Sequence, residues 1–457
     1  MKKTVVIDVV GLTPSLISNM PFVSAWAAQA KTTSVAPVLP AVTCSAQATY
    51  LTGKYPNEHG IVGNGWYFEE ECEVKFWRQS NKLVQAEKIW EAAKKLDASF
   101  TCANLFWWYN MYSSVDYSVT PRPQYLADGR KMPDCYSQPS NLRDKLQEKL
   151  GTFPLFDFWG PRTTIKSSRW IAEASKLVEE WHNPTLTLIY LPHLDYNLQR
   201  YGTQHPSIPK DLAEIDAVCK DLITFYEKKG ASVILLSEYG ITDVKYPIHP
   251  NRVLREAGLL NIREERGLEL LDAGASKAFA VADHQLCHIY INDKNELNKV
   301  RQLLEKIEGI ELLLDEEGKK KYHLNHTRSG DLVAVANKDA WFTYYYWLED
   351  SKAPDFARIV DIHKKIGYDP VEMLVNPKIT AVPLVVAWKL LKKKLGFRML
   401  MDLIPLDANL IRGSHGRIAE SEQDRPLIIS KSKHLLTENS IEPTKVFDIL
   451  LQHLIGL

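Results

Sequence analysis

Short runs of aliphatic and β-branched residues constrain this chain more than any other sequence feature. Three of them, Thr4–Val10, Thr185–Leu191 and Ser232–Ser237, are typical of buried strands in a parallel sheet. The stretch Asp211–Lys229 places its apolar residues on one helical stripe, stops at Gly230 and leads directly into the third run. A helix that feeds a strand in this way predicts an α/β fold with a mostly parallel central sheet and helices on both faces.

Two segments depart from this regular pattern. Residues 63–162 are rich in aromatic residues, Pro and Asn, and they show weak periodicity. We interpret them as an insertion that covers a pocket at one end of the sheet; an aromatic satellite core is the alternative. Residues 320–400, which contain WFTYYYW, are predicted to form a small cap. Both segments are expected to belong to one domain that spans residues 1–457, since single α/β enzymes reach this size.

The charge balance argues against partners that depend on a strong overall field. Lys+Arg and Asp+Glu each total 56. No nucleic-acid partner is therefore expected, and a charged ligand must be recognised by a local site. Asp8 interrupts the N-terminal apolar run, unlike in a signal peptide, and the six scattered cysteines give no disulfide framework. A cytoplasmic location is the resulting expectation.

Membrane association is limited to one candidate segment. No stretch reaches the roughly 20 apolar residues that are needed to span a bilayer. Residues 380–400 are basic and amphipathic. They could rest on a membrane surface, or they could form a surface helix with a solvated lysine face.

Acidic residues near the ends of the apolar runs mark where a ligand would bind, because open α/β sheets bind ligands beyond the carboxyl ends of their strands. Asp8 lies in the first run, Asp195 follows the second and Glu238 follows the third. An unpaired buried carboxylate is costly, so three converging acids indicate a hard cation or a pair of cations. For each acid alone, a helix cap or a salt bridge is the alternative.

The segment around Thr43 supplies a hydroxyl. Thr43 follows a proline-bounded extended stretch and precedes AQATYLTG, which predicts the first turns of a helix. A hydroxyl at a helix N-terminus is well placed to meet an anion, because free backbone N–H groups point there. A simple capping role for Thr43 is the alternative.

These features occur within motifs that resemble the nucleotide pyrophosphatase/phosphodiesterase family of the alkaline phosphatase superfamily. The run T-x8-T-G-x-Y-P-x-x-H-G extends from Thr43 to Gly60, and VVIDVVGL resembles the family's first metal-aspartate strand. NRVLREAGLL at 251–260 and GSHGR at 413–417 resemble later motifs, in the family's order.

The resemblance implies a phosphoric ester hydrolase that uses two divalent ions, usually zinc. It implies Thr43 as the nucleophile that forms a phospho-threonine intermediate, and Asp8, Asp195 and His415 as metal ligands. The substrate implied is a phosphorylated small molecule, either a phosphodiester, a nucleotide pyrophosphate or a substituted phosphomonoester. A sulfatase is disfavoured because Cys44 is followed by Ser-Ala-Gln.

The chain also departs from the family's motifs. Gln199 stands where the D-x-x-x-H motif has His, and Glu238 and Tyr239 stand where the family has an Asp-His pair. The predicted site is therefore richer in oxygen ligands, and it could hold a different ion, one ion or none. A degenerate member that binds a phosphorylated metabolite without turnover is the alternative function.

Other side chains could complete such a site. His193 lies two residues before Asp195, on the same face if the segment is a strand, and His284 follows Asp283. Either could act as an additional metal ligand or as a hydrogen-bonded core histidine. Gln47, Asn64 and Trp66 are the candidates for contact with the substrate.

Overall fold

The computed structural model describes residues 1–397 and 399–457. A nine-stranded mixed sheet and a four-stranded antiparallel sheet form its framework. In chain order their strands are β1 (Thr4–Val9), β2 (Lys31–Val35), β3 (Cys102–Leu105), β4 (Tyr117–Pro121), β5 (Cys135–Gln138), β6 (Leu186–Leu191), β7 (Ser232–Leu236), β8 (Ala278–Asp283), β9 (Leu286–Ile291), β10 (Ile310–Leu314), β11 (Leu332–Ala336), β12 (Leu427–Ser430) and β13 (Ser440–Ile441).

Helices of two turns or more connect and cover these strands. They are α1 (Thr43–Thr52), α2 (Ile89–Leu96), α3 (Ser140–Leu150), α4 (Ile165–His182), α5 (His193–Tyr201), α6 (Ile208–Lys228), α7 (Leu297–Leu304), α8 (Val382–Lys394) and α9 (Lys445–Ile455). Shorter helices span Pro14–Ile17, Pro21–Ala27, Pro56–His59, Leu155–Phe158, Pro250–Glu256 and Glu316–Lys321. Two-stranded pairs include Gly65–Phe68 with Glu73–Phe76, Tyr246–Ile248 with Ala340–Phe342, and Ile262–Glu265 with Leu268–Leu271.

The large sheet has the order β13-β2-β12-β7-β1-β6-β3-β4-β5. Its central strands β7, β1, β6, β3 and β4 are parallel to one another, while β12 and β5 run antiparallel to their inner neighbours. The predicted α/β fold with a mostly parallel central sheet is therefore confirmed. All six residues of β1 are buried, as expected for a strand that is flanked by β6 and β7 and covered on both faces.

The molecule has two hydrophobic cores. The first surrounds the large sheet and includes apolar residues of α4, α6 and α9. The second surrounds the small sheet and includes Trp341 and the aromatic run Tyr344–Trp347. The small sheet begins before the cap that was predicted at 320–400, because β8, β9 and β10 all precede residue 320. β9 and β10 pair with β11, and β8 pairs with β9, so the small sheet draws on residues 278–336.

The structure also corrects the interpretation of residues 63–162. This range contributes β3, β4 and β5 to the large sheet, so it is not an insertion of loops alone. These strands have four or five residues each and are separated by aromatic turns, which leaves too little alternation for a strand to be recognised.

The basic segment predicted at 380–400 contains α8, a helix without a single buried residue. Leu384 is 73% exposed and Trp388 is 56% exposed. Among the described residues, every helix is too short or too polar to cross a bilayer.

Candidate active site

Two carboxylates at the ends of neighbouring parallel strands are buried beside each other. Asp8 lies in β1, and Glu238 follows β7, whose Leu236 is in register with Asp8. Both side chains are fully buried, and both oxygens of Asp8 and Oε2 of Glu238 have no hydrogen-bond partner. Burial raises the pKa of Asp8 to about 7. Burial and the neighbouring charge of Asp8 raise the pKa of Glu238 well above its ordinary value. A bound cation would stabilise such a pair.

Thr43 is the first residue of α1, and its hydroxyl belongs to a chain of hydrogen bonds. Its Oγ1 lies 3.1 Å from the hydroxyl of Tyr239, which donates to Oδ1 of Asp195 at 3.2 Å. A phenol has one proton to donate, so the proton between the two hydroxyls comes from Thr43. Burial and the charge of Asp195 raise the pKa of Tyr239 well above its usual range, so Tyr239 remains protonated. Glu238 also lies beside the Thr43 hydroxyl.

The motif around Thr43 is shaped by helix ends. Gly53 ends α1 with a φ of 64°, and Gly60 ends the short helix Pro56–His59 with a φ of 76°. Both are left-handed conformations that favour glycine. The His59 ring forms a hydrogen bond with the hydroxyl of Thr49 and accepts a hydrogen bond from the backbone N–H of Ile61. The T-G-x-Y-P-x-x-H-G portion therefore fixes the path of the chain behind α1.

Asp195 and His415 present an oxygen and a nitrogen to each other. Oδ1 of Asp195 is 3.8 Å from Nε2 of His415. Nδ1 of His415 lies 2.7 Å from the carbonyl oxygen of Ala41, which can only accept, so the proton is on Nδ1 and Nε2 carries a lone pair. Burial lowers the pKa of His415 well below its usual value, so the ring stays neutral. A lone pair that faces a carboxylate without a proton between them suits a bridging cation.

Gln199 lies one turn after Asp195 on α5, on the same helical face. Its Oε1 accepts a hydrogen bond of 3.0 Å from the hydroxyl of Tyr368, whereas its Nε2 has no partner. The amide oxygen that could bind a metal is therefore already engaged by Tyr368.

His284 reaches the cluster from the second core. It occupies the turn between β8 and β9 with a φ of 63°, an uncommon conformation for a residue other than glycine. Its ring lies between those of Tyr368 and His415, with centroid distances of 3.5 and 3.8 Å. Its Nδ1 is 2.8 Å from Oδ1 of Asp283. Burial raises the pKa of Asp283 to about 6.

The candidate substrate-contact residues make specific contacts of their own. Gln47 donates to Glu238 and accepts from the N–H of Trp108 at 2.5 Å. Asn64 accepts from the N–H of Cys44 at 3.1 Å and donates to Asp283 at 3.0 Å. These bonds place Gln47 and Asn64 beside the carboxylates and the start of α1.

The structure thus brings together most of the side chains selected from the sequence. They are Asp8, Thr43, Gln47, Asn64, Asp195, Gln199, Glu238, Tyr239, His284 and His415. Trp66 instead packs against Phe68 and the Arg328 guanidinium, within the second core.

The predicted position of His193, on a strand and on the same face as Asp195, is wrong. His193 is the first residue of helix α5 rather than part of a strand, so it lies about 200° around the helix from Asp195 and faces away from it. Its Nε2 is 3.3 Å from Glu214 and 3.7 Å from Asp211. His193 does not complete the cluster at Thr43.

Two residues of this cluster were missed at the sequence level. Asp283 ends a buried strand, so the rule that selected Asp8 could have selected it as well. Tyr368 lies in an irregular segment, IGYDP, and carries no periodic or motif signal.

The donor set fits a divalent cation. Asp8, Glu238 and Thr43 offer oxygen atoms in a buried position where carboxylate oxygens lack partners, and Asp195 and His415 offer an oxygen and a nitrogen nearby. Because this set is rich in oxygen, it suits Mg²⁺ or Mn²⁺ as well as Zn²⁺. A surface cavity of about 250 Å³, also lined by Gln285, Arg417 and Asp424, borders the cluster at His415.

Comparison with known proteins shows which family the chain is similar to. The family model described as type I phosphodiesterase / nucleotide pyrophosphatase matches residues 4–369. A Schizosaccharomyces pombe protein described as an uncharacterized pyrophosphatase/phosphodiesterase is 23% identical over 263 residues, which cover 55% of this chain and 44% of that protein. Ectonucleotide pyrophosphatase/phosphodiesterase 1 of Saccharomyces cerevisiae is 23% identical over 277 residues, 53% of this chain and 34% of that protein. The chain spans less than half the length of these relatives.

Solved structures share the fold. Murine ectonucleotide pyrophosphatase/phosphodiesterase 5 matches with a TM-score of 0.58 and 13% identity, over 100% of this chain and 95% of that chain. Phosphonoacetate hydrolase from Sinorhizobium meliloti, in complex with phosphonoacetate, matches with a TM-score of 0.59 and 13% identity, over 99% and 96% of the two chains.

Proposed function

The chain belongs to the type I phosphodiesterase/nucleotide pyrophosphatase family, and we propose that it hydrolyses a phosphodiester or nucleotide pyrophosphate, or a substituted phosphomonoester, with Thr43 as nucleophile and divalent cations as cofactor. The observation that carries this proposal is the position of the Thr43 hydroxyl. It lies at a helix N-terminus, beside Glu238 and in a hydrogen-bond chain to Asp195. The solved structures of murine ectonucleotide pyrophosphatase/phosphodiesterase 5 include an inactive threonine-to-alanine variant in complex with AMP.

Each side chain has a part in the proposed reaction. Asp8, Glu238 and Thr43 would hold one cation, and Asp195 with His415 offers a second position; such ions, zinc or a harder ion, supply positive charge to the attacking hydroxyl and the phosphoryl oxygens. The N–H groups in the first turn of α1 favour a phosphoryl anion at Thr43. Tyr239 holds the Thr43 proton in a hydrogen bond and gives it a path to Asp195.

The proposed reaction has two steps. Thr43 Oγ1 forms a bond to phosphorus while the bond from phosphorus to the leaving oxygen breaks, which gives a phosphoryl-threonine ester. Water then forms a bond to the same phosphorus while the bond from phosphorus to Thr43 Oγ1 breaks, a proton of the water restores the Thr43 hydroxyl, and the phosphorylated product leaves. Thr43 is only 4% exposed, so a substrate that enters from the cavity at His415 needs the stacked rings of His415 and Tyr239 to move.

Turnover with and without metal tests this proposal. Protein stripped with EDTA and reconstituted with Zn²⁺, Mn²⁺ or Mg²⁺ is assayed with bis(p-nitrophenyl) phosphate, a nucleotide pyrophosphate and p-nitrophenyl phosphate. We expect hydrolysis of at least one ester to require added metal and to be lost in Glu238→Gln. Glu317→Gln, which removes an exposed acid of the short helix Glu316–Lys321, should retain it.

Two results would contradict the proposal. Hydrolysis that is insensitive to EDTA would show that the reaction does not need a divalent cation. An inactive protein that still binds metal and a phosphorylated ligand would instead establish the non-catalytic alternative.

We also propose that α8 contacts an anionic membrane surface. Leu384, Trp388, Leu391 and Leu395 recur at helical spacing and are all exposed. Lys392, Lys393 and Lys394 occupy the last turn, and the ammonium of Lys392 lies over the Trp388 ring at 5.4 Å. Apolar side chains beside a lysine cluster match the acyl boundary and the negative headgroups of a bilayer.

All six cysteines are free, which supports the proposed cytoplasmic location, where thiols remain reduced.

A further inference from the structure

A second group of metal-ligating side chains lies between α5 and α6. His193 is the first residue of α5, and Asp211 and Glu214 lie three residues apart on α6, hence on one face. One ligand atom from each of the three lies within 4.8 Å of the other two. We propose that His193, Asp211 and Glu214 bind a divalent transition-metal ion at a site separate from the Thr43 cluster.

His193 provides an observation that is independent of the two acids. Its side chain is only 4% exposed, yet neither ring nitrogen has a hydrogen-bond partner. Buried imidazoles are normally hydrogen-bonded or metal-bound, because an unpaired buried nitrogen is unfavourable. Nε2 points towards the two carboxylates, so a bound ion would give this nitrogen its missing partner.

The distances suit a small ion. Nε2 of His193 is 3.3 Å from Oε2 of Glu214 and 3.7 Å from Oδ1 of Asp211. Ligand bonds of about 2.0–2.2 Å in a tetrahedral arrangement separate neighbouring donor atoms by about 3.4 Å. One imidazole and two carboxylates form a set that Zn²⁺, Mn²⁺ and Fe²⁺ accept. Glu214 is 26% exposed, which leaves a side open for water and for exchange of the ion.

The surrounding groups orient the carboxylates and leave the ligand atoms free. Asn197 donates to Oδ2 of Asp211 at 2.7 Å, and Oδ1 remains on the His193 side. Arg200 donates to the carbonyl of Gly160 and to Asn197 rather than to either acid. Lys210 is 77% exposed and lies 4.0 Å from Oε1 of Glu214, the oxygen that does not face His193. Such outer contacts are typical of metal sites.

An ion at this position would join the start of α5 to α6. The opposite face of α5 carries Asp195 and Gln199, so the site would help to position these two side chains. The inference does not depend on the proposed hydrolase activity, since it uses none of the residues of the Thr43 cluster.

Metal stoichiometry tests the site. Protein stripped with EDTA is dialysed against ZnCl₂ and then against metal-free buffer, and bound zinc is measured by mass spectrometry. His193→Gln and Glu214→Gln should each reduce bound zinc by one ion per chain and reduce the rise in Tm that zinc produces. Asp221→Asn removes an exposed acid from the same helix and should retain the parental zinc content.

A second background separates this site from the Thr43 cluster. In Asp8→Asn/Asp195→Asn/Glu238→Gln protein, which lacks carboxylates for both cation positions of the Thr43 cluster, the ion that remains bound should be lost when Glu214→Gln is added. If His193→Gln and Glu214→Gln bind as much zinc as the parent, or if Asp221→Asn loses as much as they do, the proposed site is wrong. Because Glu214 is partly exposed, Glu214→Gln is the variant to use if His193→Gln fails to fold.

Discussion

Thr43, Tyr239 and Asp195 form a hydrogen-bond chain in the candidate site. Removing the Tyr239 hydroxyl with Tyr239→Phe keeps the ring that stacks on His415 at 3.6 Å but breaks the link from Thr43 to Asp195. We expect kcat to fall by about 10²-fold with little change in KM, the scale of a lost proton-transfer partner. Steady-state kinetics with a chromogenic diester measures both parameters.

Tyr344→Phe is the matched control for that experiment. Tyr344 is a fully buried tyrosine of the second core whose hydroxyl, unlike that of Tyr239, lacks a hydrogen-bond partner. It should retain the parental rate. A Tyr239→Phe enzyme that is as fast as the parent would remove Tyr239 from the proton path.

The raised pKa of Asp8 predicts how the stability of the metal-free protein depends on pH. Its folded pKa of about 7 lies above its ordinary value of 3.8, so the metal-free protein loses stability as the pH rises from about 4 to about 7, where Asp8 is ionised in the unfolded chain but still protonated in the folded protein. Asp8→Asn does not titrate. Its stability advantage over the parent, both in EDTA, should therefore grow by about 3 kcal/mol between pH 5 and pH 8, since one pKa unit corresponds to about 1.4 kcal/mol.

Denaturant unfolding of both proteins at several pH values measures that difference. Groups that titrate alike in the variant and the parent cancel when the two free energies of unfolding are subtracted. With saturating divalent metal the order should reverse, because the parent then gains the binding energy that Asp8→Asn lacks. A difference that is independent of pH would mean that Asp8 is not held in its protonated form by burial.

At the level of single elements, the accuracy of sequence-based prediction follows the length of the periodic signal. The strands β1, β6 and β7 have continuous aliphatic runs and α6 has a long apolar stripe, and their bounds agree with the predictions within three residues. The strands β3 to β5 were missed because CANL, YSVTP and CYSQ lack a continuous aliphatic or β-branched run, whereas β7 is equally short but consists of SVILL. His193 was misplaced because Pro192 ends the extended segment and α5 begins at the next residue.

The element α8 leads to a test of membrane contact. We expect the protein to co-sediment with vesicles that contain phosphatidylserine but not with neutral vesicles, and less so at high salt. Lys392→Glu/Lys393→Glu should weaken binding at least about 10-fold, because each lysine near an anionic surface contributes about 1 kcal/mol.

Lys320→Glu/Lys321→Glu, in the short helix Glu316–Lys321, is the control that makes the same charge change elsewhere. It should bind vesicles as the parent does. Parent protein that ignores anionic vesicles, or equal losses in both double variants, would reject α8 as the contact.

On the scale of the whole molecule, the candidate site lies where the two cores meet. Asp8, Thr43 and Asp195 come from elements of the large sheet and its helices, whereas Asp283, His284 and Tyr368 come from the second core. The convergence of the first group could be predicted, since carboxyl ends of parallel strands share one edge. In the second group, His284 was selected from the sequence and Asp283 could have been, since it ends a buried strand. Tyr368 could not, because its place in the site depends on how the second core packs against that edge.

A buried ion network helps to hold this arrangement. Nζ of Lys365 lies 2.8 Å from both Asp369 and Glu372, and all three side chains are at most 2% exposed. Glu372 also accepts from the indole of Trp159 at 2.6 Å. Lys365→Met leaves two buried acids without a counter-charge and should destabilise the protein by about 3–5 kcal/mol, as measured by denaturant unfolding.

Lys365→Met/Asp369→Asn/Glu372→Gln, which also neutralises both acids, should recover much of that loss. A loss below about 1 kcal/mol for Lys365→Met alone, the scale of an exposed pair, would show that the network does not stabilise the second core.

The reaction of Thr43 is the central claim, and the hydrolysis rate of Thr43→Ala tests it most directly. The parent and the variant are loaded with the same metal, shown by circular dichroism to be folded, and assayed with bis(p-nitrophenyl) phosphate. We expect the variant to lose at least about 10³-fold in rate, as removal of a covalent nucleophile does, while the parent shows metal-dependent turnover. A Thr43→Ala protein that hydrolyses the ester as fast as the parent would contradict the account.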